Sequence, residues 1–250
     1  MRVAVAGGTG LTGKRVVGSL IAAGHEPVVL SRARGVDLVS GSGLADALTG
    51  VEAVIDVSNV TTSRASVSVA FFEAATRHLL AAGERAGVRH HVVLSIVGCD
   101  RVDLGYYEGK RRQEELVRAG SVPWTILRTT QFHEFAGQIL DRVPPGPVAL
   151  VPRMLSQPVA VREVAEALVA LVGGEPLGTA PELAGPRPEQ LVDQARLLLR
   201  ARGRRRWVLP VGLPVESARR AAGGALLPTA DGPRGTVTFA RWLEEQGPDA

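Results

Sequence analysis

The residues Arg2-Val3-Ala4-Val5-Ala6 run straight into Gly7-Gly8-Thr9-Gly10-Leu11-Thr12-Gly13, and an amphipathic stretch over 13–23 follows without a spacer. An apolar β-branched run, a glycine cluster and a helical period in that order describe a strand that turns directly into a helix. A strand apolar on both faces has to be covered on both, so the unit demands parallel neighbours flanked by helices. The next two thirds of the chain supply them. Strands are expected at 2–6, 27–31, 36–39, 53–57, 91–95 and 124–128, and helices at 13–23, 67–86, 106–119 and 132–142. The right-handed crossover rule makes this an α/β, Rossmann-type doubly wound parallel sheet, with the first strand at its centre and ligands at the carboxyl ends of the strands.

After Pro144-Pro145-Gly146-Pro147 the alternation breaks into short apolar segments, with helical patterns at 162–172, 189–201 and 236–246. The chain is therefore divided into a dinucleotide-type core at 1–147 and a small carboxyl-terminal extension at 148–250. The extension is expected to pack on the core as the substrate region. With 45% hydrophobic and 22% charged residues the chain has ordinary globular usage, which excludes wholesale disorder. One cysteine, Cys99, cannot close an intramolecular bridge, and no CxxC or His/Cys cluster suggests a metal. His90 and His91 would point to opposite faces of a strand. The amino-terminal apolar run is too short for a signal peptide, and no charge-free stretch approaches the roughly 18 residues of a membrane span. A cytoplasmic location and no membrane partner are expected.

Glycine permits a tight turn and a close approach of backbone to a pyrophosphate, while the amino terminus of a helix offers unpaired N–H groups. Gly7, Gly10 and Gly13 stand where that use requires them. The segment from Gly8 to Lys14 also fits GxxxxGK, the phosphate loop of nucleotidases, but Arg15 replaces the hydroxyl that would hold magnesium.

The GxxGxxG spacing resembles the short-chain dehydrogenase/reductase superfamily. The likeness continues through Ser31-Arg32, Asp56-Val57-Ser58-Asn59, Val93-Leu94-Ser95, Leu127 to Phe132, Gln157 to Val161 and Phe239 to Leu243. It looks most like the atypical, NmrA-like NAD(P)H-binding group. That resemblance implies cofactor contacts at Gly7, Thr9, Gly10, Leu11, Thr12, Gly13, Ser31, Arg32, Ser58, Asn59, Ser95 and Lys110. The second strand ends in Ser31-Arg32 with no carboxylate to bind both ribose hydroxyls, and Arg32 and Arg34 can pair a phosphate, so NADP(H) is expected over NAD(H). Gly41-Ser42 stands where relatives carry Gly-Asp for adenine.

The two tyrosines are adjacent, and Lys110 follows Tyr106 by four residues, which puts phenol and ammonium on one helix face. The superfamily's YxxxK does the same. A nearby cation lowers a phenol pKa from its usual value of about 10, so Tyr106 is expected to donate a proton to a carbonyl, tuned by Lys110. The lysine is telling, since only Lys14 and Lys110 are Lys among 29 basic residues. Ser95 is expected to orient the substrate carbonyl, though it can equally be a strand-cap hydroxyl. Phe132 and His133 lie in a segment that the resemblance brings to the substrate.

Between Arg187 and Arg220 nine arginines face three acids. With Trp207 as the one aromatic there, a nucleic-acid face is not expected, and the segment reads as a solvated helix end in an arginine-biased chain. The polar run Lys110 to Glu115 on the helix at 106–119 favours a monomer. Two functions compete: an NADPH-dependent reductase of a small carbonyl, enone or quinone, and a non-catalytic NAD(P)-binding redox sensor of NmrA type.

Overall fold

The computed structural model describes residues 1–212 and 214–246. The strands are β1 Arg2–Ala6, β2 Glu26–Leu30, β3 Ala53–Asp56, β4 His90–Ile96, β5 Trp124–Thr129, β6 Val148–Pro152, β7 Leu155–Ser156, β8 Gly178–Thr179, β9 Glu189–Gln190 and β10 Trp207–Val211. The helices are α1 Leu11–Ala22, α2 Leu44–Ala47, α3 Ala65–Ala86, α4 Gly105–Ala119, α5 Phe135–Leu140, α6 Val161–Val172, α7 Leu191–Ala201, α8 Glu216–Ala222 and α9 Phe239–Gln246.

The chain forms two compact units that interleave in sequence. The first comprises Met1–Cys99, Asp103–Arg128 and Val161–Pro181, and the second Asp100–Val102, Thr129–Ala160 and the chain from Glu182 on. The boundary drawn at 147 thus lies inside the second unit, and α6 belongs to the first. The reason is packing: the apolar face of α6, with Val161, Val164, Ala165, Leu168 and Val172 buried, lies against α1 and β4.

The first unit holds a parallel sheet in the order β2-β1-β3-β4-β5-β8. β1 is interior, though it is second from the β2 edge and not at the centre that was expected, and Val3 to Ala6 are wholly buried. In register, Ala6 stands opposite Leu30 on one side and Asp56 on the other. Gly7, Ser31 and Val57 therefore leave the sheet in one row, along one edge.

Residues 36–39 form no strand. The Asp37 carboxylate accepts the Val39 amide at 2.8 Å, and Gly41 and Gly43 take left-handed φ, so the backbone groups a ladder needs are used in a turn. The sixth strand comes instead from β8, whose two residues pair with Thr125 and Ile126.

In the second unit β6 and β10 make a parallel pair, and β7 and β9 an antiparallel one. The helix expected from 132 starts later, at Phe135, because Phe132 bridges to Val159 and the His133 amide bonds the Val159 carbonyl. The helix expected from 236 likewise starts at Phe239.

Candidate functional site

The turn from β1 to α1 is shaped by its glycines. Gly7 has φ +77°, and a side chain there would meet Val57 O and Ser58 Cα at 2.8 Å. At Gly13 a Cβ would overlap the Gly7 carbonyl oxygen and stand 2.5 Å from Gly8 Cα, so the helix can approach the turn only with a bare α-carbon. Gly10 differs, having Gly7 O at 3.3 Å as its sole neighbour within 4 Å. It is the exposed N-cap of α1, with no side-chain cap bond and no acid in the first turn. Thr9 and Leu11 are exposed beside it and Thr12 is buried. The result is an open, acid-free helix start of the kind that takes an anion.

Two buried hydroxyls on the same edge have no hydrogen-bond partner: Ser31 Oγ after β2 and Ser58 Oγ after β3. A buried hydroxyl left unsatisfied costs roughly 1–3 kcal/mol, so the pair marks where a polar ligand would be stabilised. Arg32 and Arg34 are exposed on a single 3-10 turn directly after Ser31. The bare glycine turn and the orphaned hydroxyls fit a dinucleotide.

The Tyr106 hydroxyl donates to Asn59 Oδ1 at 2.7 Å. Asn59 follows Ser58, so the phenol is tied to the strand edge beside the glycine turn. Phe72 supports the ring edge-on at 5.8 Å, and Ser68 Oγ donates to the Tyr106 carbonyl at 2.8 Å. Burial, with a smaller contribution from Tyr107, raises the phenol pKa above its ordinary value.

That direction is opposite to the one expected from Lys110, and the geometry gives the reason. Lys110 is 4% exposed. Its Nζ donates to Leu94 O at 2.6 Å and to Gln113 Oε1, and lies 4.6 Å from the centre of the Phe72 ring. Gln113 Nε2 in turn donates to Asp56 Oδ2 at 2.9 Å, while Asp56 Oδ1 accepts the Ser58 amide. Burial pushes the ammonium pKa down to about 8 against the pull of Asp56, Cys99 and Glu114. The ammonium is thus engaged by acceptors inside the first unit, and the direction of the Tyr106 shift is set by burial.

Ser95 is engaged in the same way. It is 1% exposed and donates to Glu114 Oε1 at 2.5 Å. Glu114 also accepts from Arg128 Nε at 2.9 Å, Arg128 Nη2 at 2.8 Å and Arg118 Nη2 at 2.8 Å. Burial alone would raise this carboxyl, but the bonds from Arg128, Ser95 and Arg118 hold it at about 2. In place of an open hydroxyl beside Tyr106, Ser95 is one arm of a buried ionic hub. The spacing of Gln113, three residues after Lys110, was a legible signal for that partner.

In the second unit His133 is fully buried, with Nε2 donating to Val237 O at 3.0 Å and its ring packed on Phe239 and Trp242. Expected to line the substrate, it holds here the segment that leads into α9. Phe132 is half-buried beside it. His90 and His91 are buried, His90 Nε2 bonding Thr125 Oγ1 at 2.9 Å. Desolvation lowers both imidazole pKa values, that of His91 to about 4.

The NAD(P)H-binding family matches residues 7–173, from the first glycine of the turn to the end of α6. This chain belongs to that NAD(P)H-binding family. A curated relative from Streptomyces griseus, a (4-alkanoyl-5-oxo-2,5-dihydrofuran-3-yl)methyl phosphate reductase, is 33% identical over 222 residues, covering 81% of this chain and 74% of the relative. Two solved structures share the fold. An NADPH-dependent quinone oxidoreductase of Escherichia coli complexed with NADPH has a TM-score of 0.73 at 21% identity, over 98% of this chain and 99% of that one. A triphenylmethane reductase of Citrobacter sp. complexed with NADP(H) has a TM-score of 0.72 at 17% identity, over 99% and 100%. This family member is accordingly oxidoreductase-like and NAD(P)H-binding.

Proposed function

We propose that the chain is an NADPH-dependent reductase of a small, electron-poor carbonyl, enone or quinone. The observation that carries this reading is the bond from Tyr106 to Asn59, which holds a protonated phenol hydroxyl at the strand edge that also bears the bare glycine turn and the two unpartnered serine hydroxyls. The amides opening α1 at Leu11 and Thr12 would hold the pyrophosphate, Ser31 and Arg32 a 2′-phosphate, and Ser58 and Asn59 the nicotinamide half. The bound nicotinamide would supply hydride. Tyr106, kept protonated by burial, would give its proton to the oxygen or carbon that gains negative charge, and would recover one from solvent. The substrate name of the Streptomyces relative describes an alkene conjugated to carbonyls, an acceptor that takes hydride at carbon and therefore suits this division of labour.

The engagement of Lys110 and Ser95 elsewhere favours a second reading, an NAD(P)-binding regulatory protein without turnover. Following NADPH absorbance against enones, quinones and ketones separates the two. Tyr106→Phe is expected to retain NADPH binding while turnover falls about 10² to 10⁴-fold. NADPH binding with no oxidation by any acceptor class would move the conclusion to the regulatory reading.

A further inference from the structure

Within the second unit, β6 and β10 pair in parallel with Val148 opposite Trp207 and Leu150 opposite Leu209. Strand side chains alternate, so these four residues share one face while Ala149, Val151 and Val208 turn inward and are buried. The outer face is uncovered: Trp207 is 76% exposed, Leu150 53%, Leu209 47% and Val148 40%. A contiguous apolar face of this kind marks an interaction surface more often than chance exposure.

Its flanks are cationic. A hollow of about 380 Å³ on one side is lined by Arg196, Arg200, Arg204, Arg205, Arg206 and Trp207. A second, of about 460 Å³, joins Arg142 to Val148 and Leu150 through the proline turn. Arg206 Nη2 bonds Pro144 O at 2.7 Å and Val148 O at 2.9 Å, which fixes the guanidinium at the border of the apolar face. Of these arginines Arg196 is ion-paired, with Asp193.

We propose that this face is a peripheral docking surface for an anionic lipid bilayer. Indole and leucine side chains suit the bilayer interface, and arginines beside them can reach lipid phosphates while their stems stay on apolar surface. Added strands from a peptide are disfavoured, because Pro152 and Pro210 remove edge donors. A second copy would set one arginine cluster against another. No helix among the described residues is long and apolar enough to cross a membrane, so the attachment is to the surface alone. The sequence expectation of no membrane partner rested on that missing span. It had no access to a face made by two strands far apart in the chain.

The test is co-sedimentation of the full chain with vesicles of phosphatidylcholine, with and without phosphatidylglycerol, and it needs neither cofactor nor substrate. Binding is expected to the phosphatidylglycerol vesicles alone, weakening with added salt. It should fall roughly a hundredfold in Arg204→Gln/Arg205→Gln/Arg206→Gln, at about fivefold per arginine. It should fall about tenfold in Trp207→Ser. Melting curves check that the variants fold, and Leu150→Ser serves in place of Trp207→Ser if that one melts early. No sedimentation at low salt, binding that survives both kinds of variant, or a wild-type dimer that is lost in Trp207→Ser would each overturn the proposal.

Discussion

Replacing Glu114 by Gln keeps the volume of a side chain that is 1% exposed and removes the charge that Arg128, Arg118 and Ser95 all address. Held at about 2 against 4.5 in the unfolded chain, the carboxyl contributes about 3 kcal/mol of stability. The sign follows from the depressed native pKa: the contribution is fully present above 4.5 and is lost as pH falls through the native value near 2. The Arg128 side chain is 15% exposed and cannot fully rehydrate when its partner is neutralised, whereas Arg118, at 39%, can. The cost at neutral pH should thus be set chiefly by Arg128, near the lower end of the 3 to 5 kcal/mol typical for breaking a buried pair. Urea unfolding of wild type and Glu114→Gln at a series of pH values measures it. A gap of about 3 kcal/mol at neutral pH that narrows below about pH 4 is the expected result. A gap under about 1 kcal/mol, or one that does not narrow on acidification, would refute the account of Glu114 as an ionic hub.

Three further outcomes test the other features of the site. Gly13→Ala should destabilise the fold by about 3 kcal/mol, because backbone rather than a side chain must yield, while Gly10→Ala should melt near wild type and lose dinucleotide affinity; calorimetry and NADPH titration separate the two. Burial holds native Lys110 near 8 while the unfolded value is 10.5, so wild-type stability should rise by up to about 3 kcal/mol between those pH values. That rise should be missing in Lys110→Met, as denaturant titrations at the two ends of the window will read. Arg32→Ala should erase a roughly tenfold to hundredfold preference for NADPH over NADH, and equal affinities in wild type would remove the basis for the NADP assignment.

What was legible in the sequence is local. The strand-glycine-helix start, the interior place of β1 and the limits of α3 and α4 to within two residues follow from side-chain period and turn chemistry. Residues 36–39 have strand-like composition but form no strand because Asp37 competes for the Val39 amide, a contest that composition does not reveal. The two-residue β8 carries too few residues to show a period at all.

The glycine turn and the phase of α4 were thus determined by the sequence alone, since both depend on residues within one helical turn of each other. That phase puts Tyr106 and Lys110 on neighbouring positions of one helix face. Whether the two side chains work together was decided by tertiary structure. Packing of α4 against α3 buries Lys110 over Phe72, and its ammonium must then find acceptors at Leu94 and Gln113. Tyr106 finds Asn59, and Ser95 finds Glu114. A buried polar group takes whichever partner the fold places within reach: Gln113 is three residues from Lys110, but Glu114 is 19 from Ser95 and Asn59 is 47 from Tyr106, beyond any local pattern.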